Sequence, residues 1–281
     1  MATVEHTESF TTTPDGIKLY IQRWIPSGAP RATLAIVHGY LEHSGRYQFP
    51  VDYFSNRGFE VFACDLRGHG QSGGRRAHVF HYDEYVDDIA TFVRYVVAQS
   101  THEQKLFLVG HSNGGLATFR YAARNPEGLD GIVLSAPYVG LKAKVSAVKV
   151  GVAKALSGLW PTLALKTGIP GTDLTRDAAV AASYDADPLV IRAATARWFT
   201  EALAAQNDAL LQAPELRVPV LIVQGTDDRV ADPAATERVF NAVGFRDKEF
   251  RKYDGGFHEL FNDPDRERVF ADIEEWLSKR L

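Results

Sequence analysis

Leu106-Phe-Leu-Val-Gly-His-Ser112-Asn-Gly-Gly-Leu-Ala-Thr-Phe-Arg-Tyr-Ala-Ala-Arg-Asn125 is the stretch on which the fold turns. Its first four residues are an apolar run short enough for a buried strand. Its last ten, LATFRYAARN, suit a helix. Between them, Gly110-His111-Ser112-Asn113-Gly114 leaves no room for an ordinary loop. A strand must therefore pass into a helix through one tight, strained turn with Ser112 at its apex. Small flanking residues let the two backbones approach closely there. Such a turn belongs at the carboxyl end of a parallel sheet. The following helix N-terminus then lies beneath the serine and favours developing negative charge.

Working outward, the same alternation recurs. Two edge strands are expected at about 7–12 and 17–24, joined through Pro14-Asp15-Gly16. LAIVHG (34–39), FEVFACD (59–65), KLFLVG (105–110), GIVLSAP (131–137), VPVLIVQG (218–225) and KEFRKYD (248–254) read as further strands. Helices are expected at about 44–54, 82–99, just after Ser112, 233–242 and 264–280. In 82–99, Tyr85, Ile89, Phe92, Val93, Val96 and Val97 recur at helical spacing. Short strands alternating with helices of 12 to 18 residues imply an α/β fold with a mostly parallel central sheet covered by helices on both faces.

The rhythm breaks between 138 and 213, where no convincing sheet strand appears and 141–160 and 189–206 read as helical. This is expected to be a helical insertion between two core strands, with the core formed by 1–137 and 214–281, because the sheet pattern resumes at once at Val218.

The whole chain sets bounds. With 281 residues, 45% apolar, it can bury a substantial core. A net charge of −4 argues against a nucleic-acid partner, which needs a concentrated basic patch. The single cysteine, Cys64, excludes an internal disulfide framework and reads as a packed strand residue. The first residues carry no basic segment followed by an apolar core, and no apolar run approaches the roughly 20 residues of a membrane span. A cytoplasmic protein, in places peripheral to membranes, is the expectation.

A serine is a weak nucleophile without a base and an orienting acid. His258 in GGFHELF follows the last strand and precedes the C-terminal helix, placing it on a loop at the core edge. The other histidines are less suitable. His6 lies near the N-terminus, while His78, His81 and His102 sit in connections. His111 fills the elbow beside the serine, and His69 in RGHGQSGG organises a turn near the pocket. For the acid, Asp228 and the adjacent Asp227 both follow a strand in GTDDRVADP, and spacing alone favours neither. The backbone N–H of Asn113, directly after the serine, and that of Tyr40, just beyond the strand ending at His38-Gly39, can form an oxyanion hole.

Taken together, HGYLEHSGRY, DLRGHGQSGGRR, GHSNGG, SYDADPLV, QGTDDRVADP and GGFHELF span most of the chain in a fixed order. In them the sequence resembles the monoacylglycerol lipase/lysophospholipase group of α/β-hydrolases, also grouped with serine aminopeptidase-like hydrolases. The resemblance implies an α/β-hydrolase fold and a triad of Ser112, Asp228 and His258, the family's acidic position falling on Asp228. It implies Tyr40 and Asn113 amides as oxyanion donors, and neither metal nor organic cofactor. Asn113 stands where the family often has methionine. The amide is retained, while the polar side chain alters the pocket or its support.

The resemblance also makes 138–213 a cap over the site. Within LKAKVSAVKVGVAKALSGLW (141–160), Val145, Val148, Val152, Leu156 and Leu159 form an apolar stripe, and Lys142, Lys144, Lys149 and Lys154 occupy other faces. The stripe packs on the core, meets a lipid surface transiently, or packs against another copy of the chain. The implied activity is ester hydrolysis through an acyl-enzyme, with a monoacylglycerol as first substrate. Lysophospholipids and short-chain esters are the alternatives, with peptidase or thioesterase chemistry behind them. A dehalogenase or epoxide hydrolase would carry aspartate at position 112. A noncatalytic small-molecule receptor is the reading of another class. The expected partner is a small acyl ester or single-chain lipid.

Overall fold

The computed structural model describes residues 4–100, 104–143 and 145–281, so His102 and Lys144 lie outside the described residues. In chain order the core begins with β1 (Glu5–Thr12), β2 (Lys18–Ile25) and β3 (Thr33–Val37). It continues with α1 (Gln48–Ser55), β4 (Glu60–Cys64), α2 (Asp83–Gln99), β5 (Leu106–His111), α3 (Ser112–Arg124) and β6 (Gly131–Ser135). The inserted region carries α4 (Ala147–Leu159), β7 (Ala164–Lys166), α5 (Gly171–Leu174), α6 (Ala178–Ala186), β8 (Ala193–Thr195) and α7 (Ala196–Gln212). The core then resumes with β9 (Val220–Gly225), α8 (Pro233–Ala242), β10 (Lys248–Tyr253) and α9 (Arg266–Ser278).

Among the described residues the main sheet has eight strands in the order β1-β2-β4-β3-β5-β6-β9-β10. Only β1–β2 and β2–β4 pair antiparallel; the other pairings are parallel. This is the α/β-hydrolase architecture with an inserted helical region. Strands β3, β4, β5, β6 and β9 are buried along their whole length, as sheets covered on both faces require. One face packs Ile89, Phe92 and Val96 of α2 and Leu116 and Phe119 of α3 into a large core with Trp198 of α7. The other packs Val51 and Phe54 of α1 against Phe270, Ile273 and Trp276 of α9. Cys64 is buried in β4.

The inserted region differs from the sequence expectation in detail. Its helices run Ala147–Leu159 and Ala196–Gln212 rather than 141–160 and 189–206. The chain before α4 stays extended because Lys142 N–H donates to the Val230 carbonyl at 2.9 Å and Leu141 bridges to Ala231. Before α7, residues 193–195 pair with 164–166 as a small antiparallel ribbon, two strands that the sequence reading did not anticipate. Helix α7 then starts where the Thr195 hydroxyl accepts the Trp198 N–H. Ala164-Leu165-Lys166 and Ala193-Ala194-Thr195 are too short and alanine-rich to read as strands, with Thr195 their one β-branched residue; the pairing makes them strands. Likewise 44–54 begins as a 3₁₀ turn, Ser44–Tyr47, before α1.

Candidate active site

Ser112 sits at φ +51, in the left-handed region, as the first residue of α3 directly after β5. A β5–α3 junction this sharp leaves no space for side chains around it. A Cβ on Gly110 would lie 2.6 Å from Thr118 Oγ1, and one on Gly114 would press on the carbonyl oxygens of Val37 and His38. Glycine at both positions permits the close approach that holds the serine in its strained conformation.

The structure brings Ser112, His258 and Asp228 into one line. Ser112 Oγ lies 2.9 Å from His258 Nε2, and His258 Nδ1 lies 2.9 Å from Asp228 Oδ2. All three residues are buried. Since the carboxylate accepts from Nδ1–H, the Nε2 lone pair is left to accept the serine proton. Asp228 is itself held by four donors: Val230 N–H and Ala231 N–H at Oδ1, and Gln224 Nε2 and His258 at Oδ2. Burial pushes its carboxyl up, but the imidazole and these hydrogen bonds outweigh burial and hold it below its ordinary value. Burial pushes His258 down, yet the Asp228 charge and hydrogen bond prevail and raise it. Asp227, the sequence alternative, is exposed, and its carboxylate accepts a 3.5 Å contact from Thr226 Oγ1.

Three other histidines, His111, His38 and His69, do other work. His111 donates from Nδ1 to the Ser135 carbonyl at 3.1 Å, its ring 4.8 Å from that of His258. Burial and the neighbouring imidazole push it down to about 4, so it is neutral near pH 7. His38 accepts the Leu66 N–H at Nε2 and therefore carries its proton on Nδ1, which donates to the Gly39 carbonyl at 2.6 Å. His69 is buried, bonded to the Arg67 carbonyl, and pushed by burial down to about 3.

Tyr40 and Asn113 flank the serine from two sides. Asn113 opens α3 beside Ser112, and Tyr40 follows the β3 loop, whose Gly39 is close enough that a Cβ would lie 3.2 Å from Ser112 Cβ. The loop carrying Tyr40 is supported by residues that sequence reasoning passed over. Glu42 Oε1 accepts the Gly39 N–H at 2.6 Å and the Tyr47 hydroxyl at 2.8 Å. Arg46 bridges Glu42 Oε2 at 2.5 Å to both oxygens of Glu259, at 2.7 and 2.8 Å. Glu259 adjoins His258, so one buried guanidinium ties the Tyr40 loop to the histidine loop. Their positions in HGYLEHSGRY and GGFHELF were visible, but charged loop residues are ordinarily solvated, and only packing buries these.

Above Ser112 opens a cavity of about 560 Å³. Core residues Tyr40, His258 and Val230 line its base, and the inserted region supplies Leu165, Ile169, Leu174, Ala194 and Phe199. Tyr40 stacks flat on Trp198 of α7, ring centroids 3.4 Å apart. Glu42, Tyr184 and Glu259 give it one polar side. His43 Nε2 meets Asp187 Oδ2 at 2.9 Å, which is what SYDADPLV contributes: a tie between core and inserted region. The arrangement can perform acyl transfer to a hydroxyl nucleophile beside an apolar chain-sized space. Among the described residues, no cluster of histidine, cysteine and acidic side chains could hold a metal ion.

Residues 28–265 match the family model of serine aminopeptidase, S33. A monoacylglycerol lipase of Mycolicibacterium smegmatis is 34% identical over 267 residues, covering 95% of each chain. The phospholipase YtpA of Bacillus subtilis is 33% identical, over 86% of this chain and 93% of that protein. The crystal structure of a monoacylglycerol lipase from Paleococcus ferrophilus superposes with a TM-score of 0.84 at 32% identity, covering 94% of this chain and 99% of the other.

Proposed function

The chain belongs to the serine aminopeptidase, S33 family of α/β-hydrolases, and from that premise we propose that it is a monoacylglycerol lipase, releasing a fatty acid and glycerol. It is a serine-dependent ester hydrolase acting on small lipid esters. The observation that carries the finer reading is the Ser112–His258–Asp228 line at the base of an apolar cavity large enough for one acyl chain.

In this reading Ser112 is the nucleophile, His258 the general base and acid, and Asp228 the residue that orients the imidazole and stabilises its charged form. His258 takes the Ser112 proton as Oγ attacks the acyl carbonyl. The Tyr40 and Asn113 N–H groups receive the oxyanion, protonated His258 gives its proton to the departing glycerol oxygen, and an acyl-enzyme remains. Water, deprotonated by the same imidazole, then releases the fatty acid and regenerates Ser112. The polar side of the cavity suits a headgroup with free hydroxyls, and the apolar remainder suits the chain.

The boundaries 138–213 for a cap, with 1–137 and 214–281 as core, belong to the same proposal. Part of the predicted stripe favours a lid that meets a lipid surface: Val148 is 76% and Leu159 84% exposed, and Val152, Trp160 and Leu165 are exposed near them, while Val145 and Leu156 are half-buried. Residues 142–168 carry five lysines and no acidic residue. An apolar, cationic surface over the cavity mouth supports transient contact with a membrane surface, peripheral rather than spanning. Among the described residues no helix is long and apolar enough to cross a membrane. A cytoplasmic site of action is part of this reading.

A matched panel of monoacylglycerols, lysophospholipids and short-chain esters, with wild type and Ser112→Ala, tests the proposal. Preference for monoacylglycerols and loss of turnover in Ser112→Ala are expected. Preference for lysophospholipids or short chains would overturn the substrate, and full turnover by Ser112→Ala the mechanism.

A further inference from the structure

The Asn113 N–H can serve an oxyanion only if the Asn113 backbone is held still, and the groups that hold it are specific. On one side, the Ser112 carbonyl accepts the Tyr138 N–H at 2.9 Å. This fixes the peptide plane that contains the Asn113 N–H, because the two groups of a trans peptide point oppositely. On the other side stands Tyr82. Its buried hydroxyl donates to the Asn113 carbonyl at 3.1 Å and to Asn113 Oδ1 at 2.9 Å. One hydroxyl thus grips Asn113 by main chain and side chain together, while Asn113 is itself wholly buried. Tyr82 is placed by its neighbours: its ring packs edge-on against Tyr85 at 5.6 Å, and its N–H donates to Glu201 Oε2 of α7 at 3.1 Å.

We propose that Tyr82 is a positioning residue for ester hydrolysis: its hydroxyl, acting through Asn113, aims the Asn113 N–H at the developing oxyanion. The inference rests on the acyl-enzyme reading of Ser112 given above. A phenylalanine at position 82 keeps the ring and its packing but leaves two buried acceptors without their shared donor. The amide then samples orientations that bind the oxyanion less well, while the cavity that binds the ester is unchanged. The deficit falls on kcat and spares KM, because the oxyanion exists only after attack. The Glu201 bond means that displacement of α7 would reach the same amide through Tyr82.

The experiment compares wild type, Tyr82→Phe, Asn113→Leu, the double variant and Ser112→Ala. A soluble ester gives kcat and KM, and a fluorophosphonate gives the rate of serine modification. In that modification Ser112 Oγ displaces fluoride from phosphorus, His258 takes the proton, and the phosphoryl oxygen occupies the oxyanion position. Tyr82→Phe is expected to lower kcat and phosphonylation together by about 10-fold, with KM within about twofold. Asn113→Leu should do the same. The double variant should lose no more than the larger single loss, since both act on one amide. Unchanged rates with a lowered Tm, a change in KM alone, or multiplicative losses in the double variant would each overturn the inference. If Tyr82→Phe does not fold, Asn113→Leu carries the test by the parallel fall of kcat and phosphonylation. Turnover surviving in Ser112→Ala would instead overturn the reading on which the inference rests.

Discussion

Asp228 Oδ2 lies 2.9 Å from His258 Nδ1, although 30 residues separate the two in sequence, and the adjacent Asp227 is exposed to solvent. The two aspartates differ in what reaches them. Asp228 receives two backbone N–H groups, a glutamine amide and the imidazole, whereas Asp227 has one 3.5 Å contact with Thr226 Oγ1.

Asp228→Asn should therefore lower kcat on a soluble ester by about 10⁴-fold, since an amide can no longer hold the imidazole in the required tautomer. Asp227→Asn should leave kcat within about twofold, as expected of a solvated surface change. Steady-state kinetics of the two variants decides it; equal effects would count against Asp228 as the orienting residue.

The pH profile follows from the directions of the shifts. The His258 pKa is raised above its ordinary 6.5, and attack needs its neutral form. Activity should therefore fall on acidification with a midpoint above 6.5, and Asp228→Asn should move the residual activity's midpoint downward by removing the charge that raises it. For stability the same shift has a definite sign. The ion pair's contribution is fully present below the unfolded pKa and is lost as pH rises through the folded value.

Arg46 pairs with two buried carboxylates at once, so its removal leaves Glu42 and Glu259 without their shared cation in the interior. Arg46→Leu should destabilise the protein by about 3–5 kcal/mol in urea unfolding. Glu42 depends on this partner: burial raises its pKa, and the Arg46 charge and nearby groups bring it below the ordinary value. Since Glu42 accepts the Gly39 N–H, folded Arg46→Leu should also lose kcat.

The lipid contact proposed for α4 is separable from the chemistry. Leu159→Asp together with Trp160→Ala should lower partition onto anionic phospholipid vesicles by about tenfold, because buried apolar area and lysine attraction act jointly there. Turnover of a soluble short-chain ester should stay within about twofold, as neither residue lines the cavity. Sedimentation with vesicles and ester kinetics provide the two readouts.

Much of the fold was legible because its signals are local. Apolar runs of three or four residues mark β3, β5, β6 and β9, and the two glycines of G-x-S-x-G announce a turn that larger residues cannot make. The helix of 82–99 declares itself by spacing, and its observed span is Asp83–Gln99. The inserted region read less well. Its helix starts are set by contacts with the core loop at Val230 and by the β7–β8 pairing, neither of which leaves a periodicity in the chain.

By itself, then, the sequence determined the strand–turn–helix that carries Ser112, the order in which Ser112, Asp228 and His258 follow, and the interruption of the strand rhythm between β6 and β9, because each depends on neighbours in the chain. The family resemblance selects Asp228 over Asp227, and the tertiary structure brings Asp228 to His258. Only the tertiary structure decided how Glu42, Arg46 and Glu259 lock two distant loops, that Tyr82 grips Asn113, and which α4 residues are exposed. These depend on hydrogen bonds between groups far apart in sequence, formed where burial removes water as a competing partner.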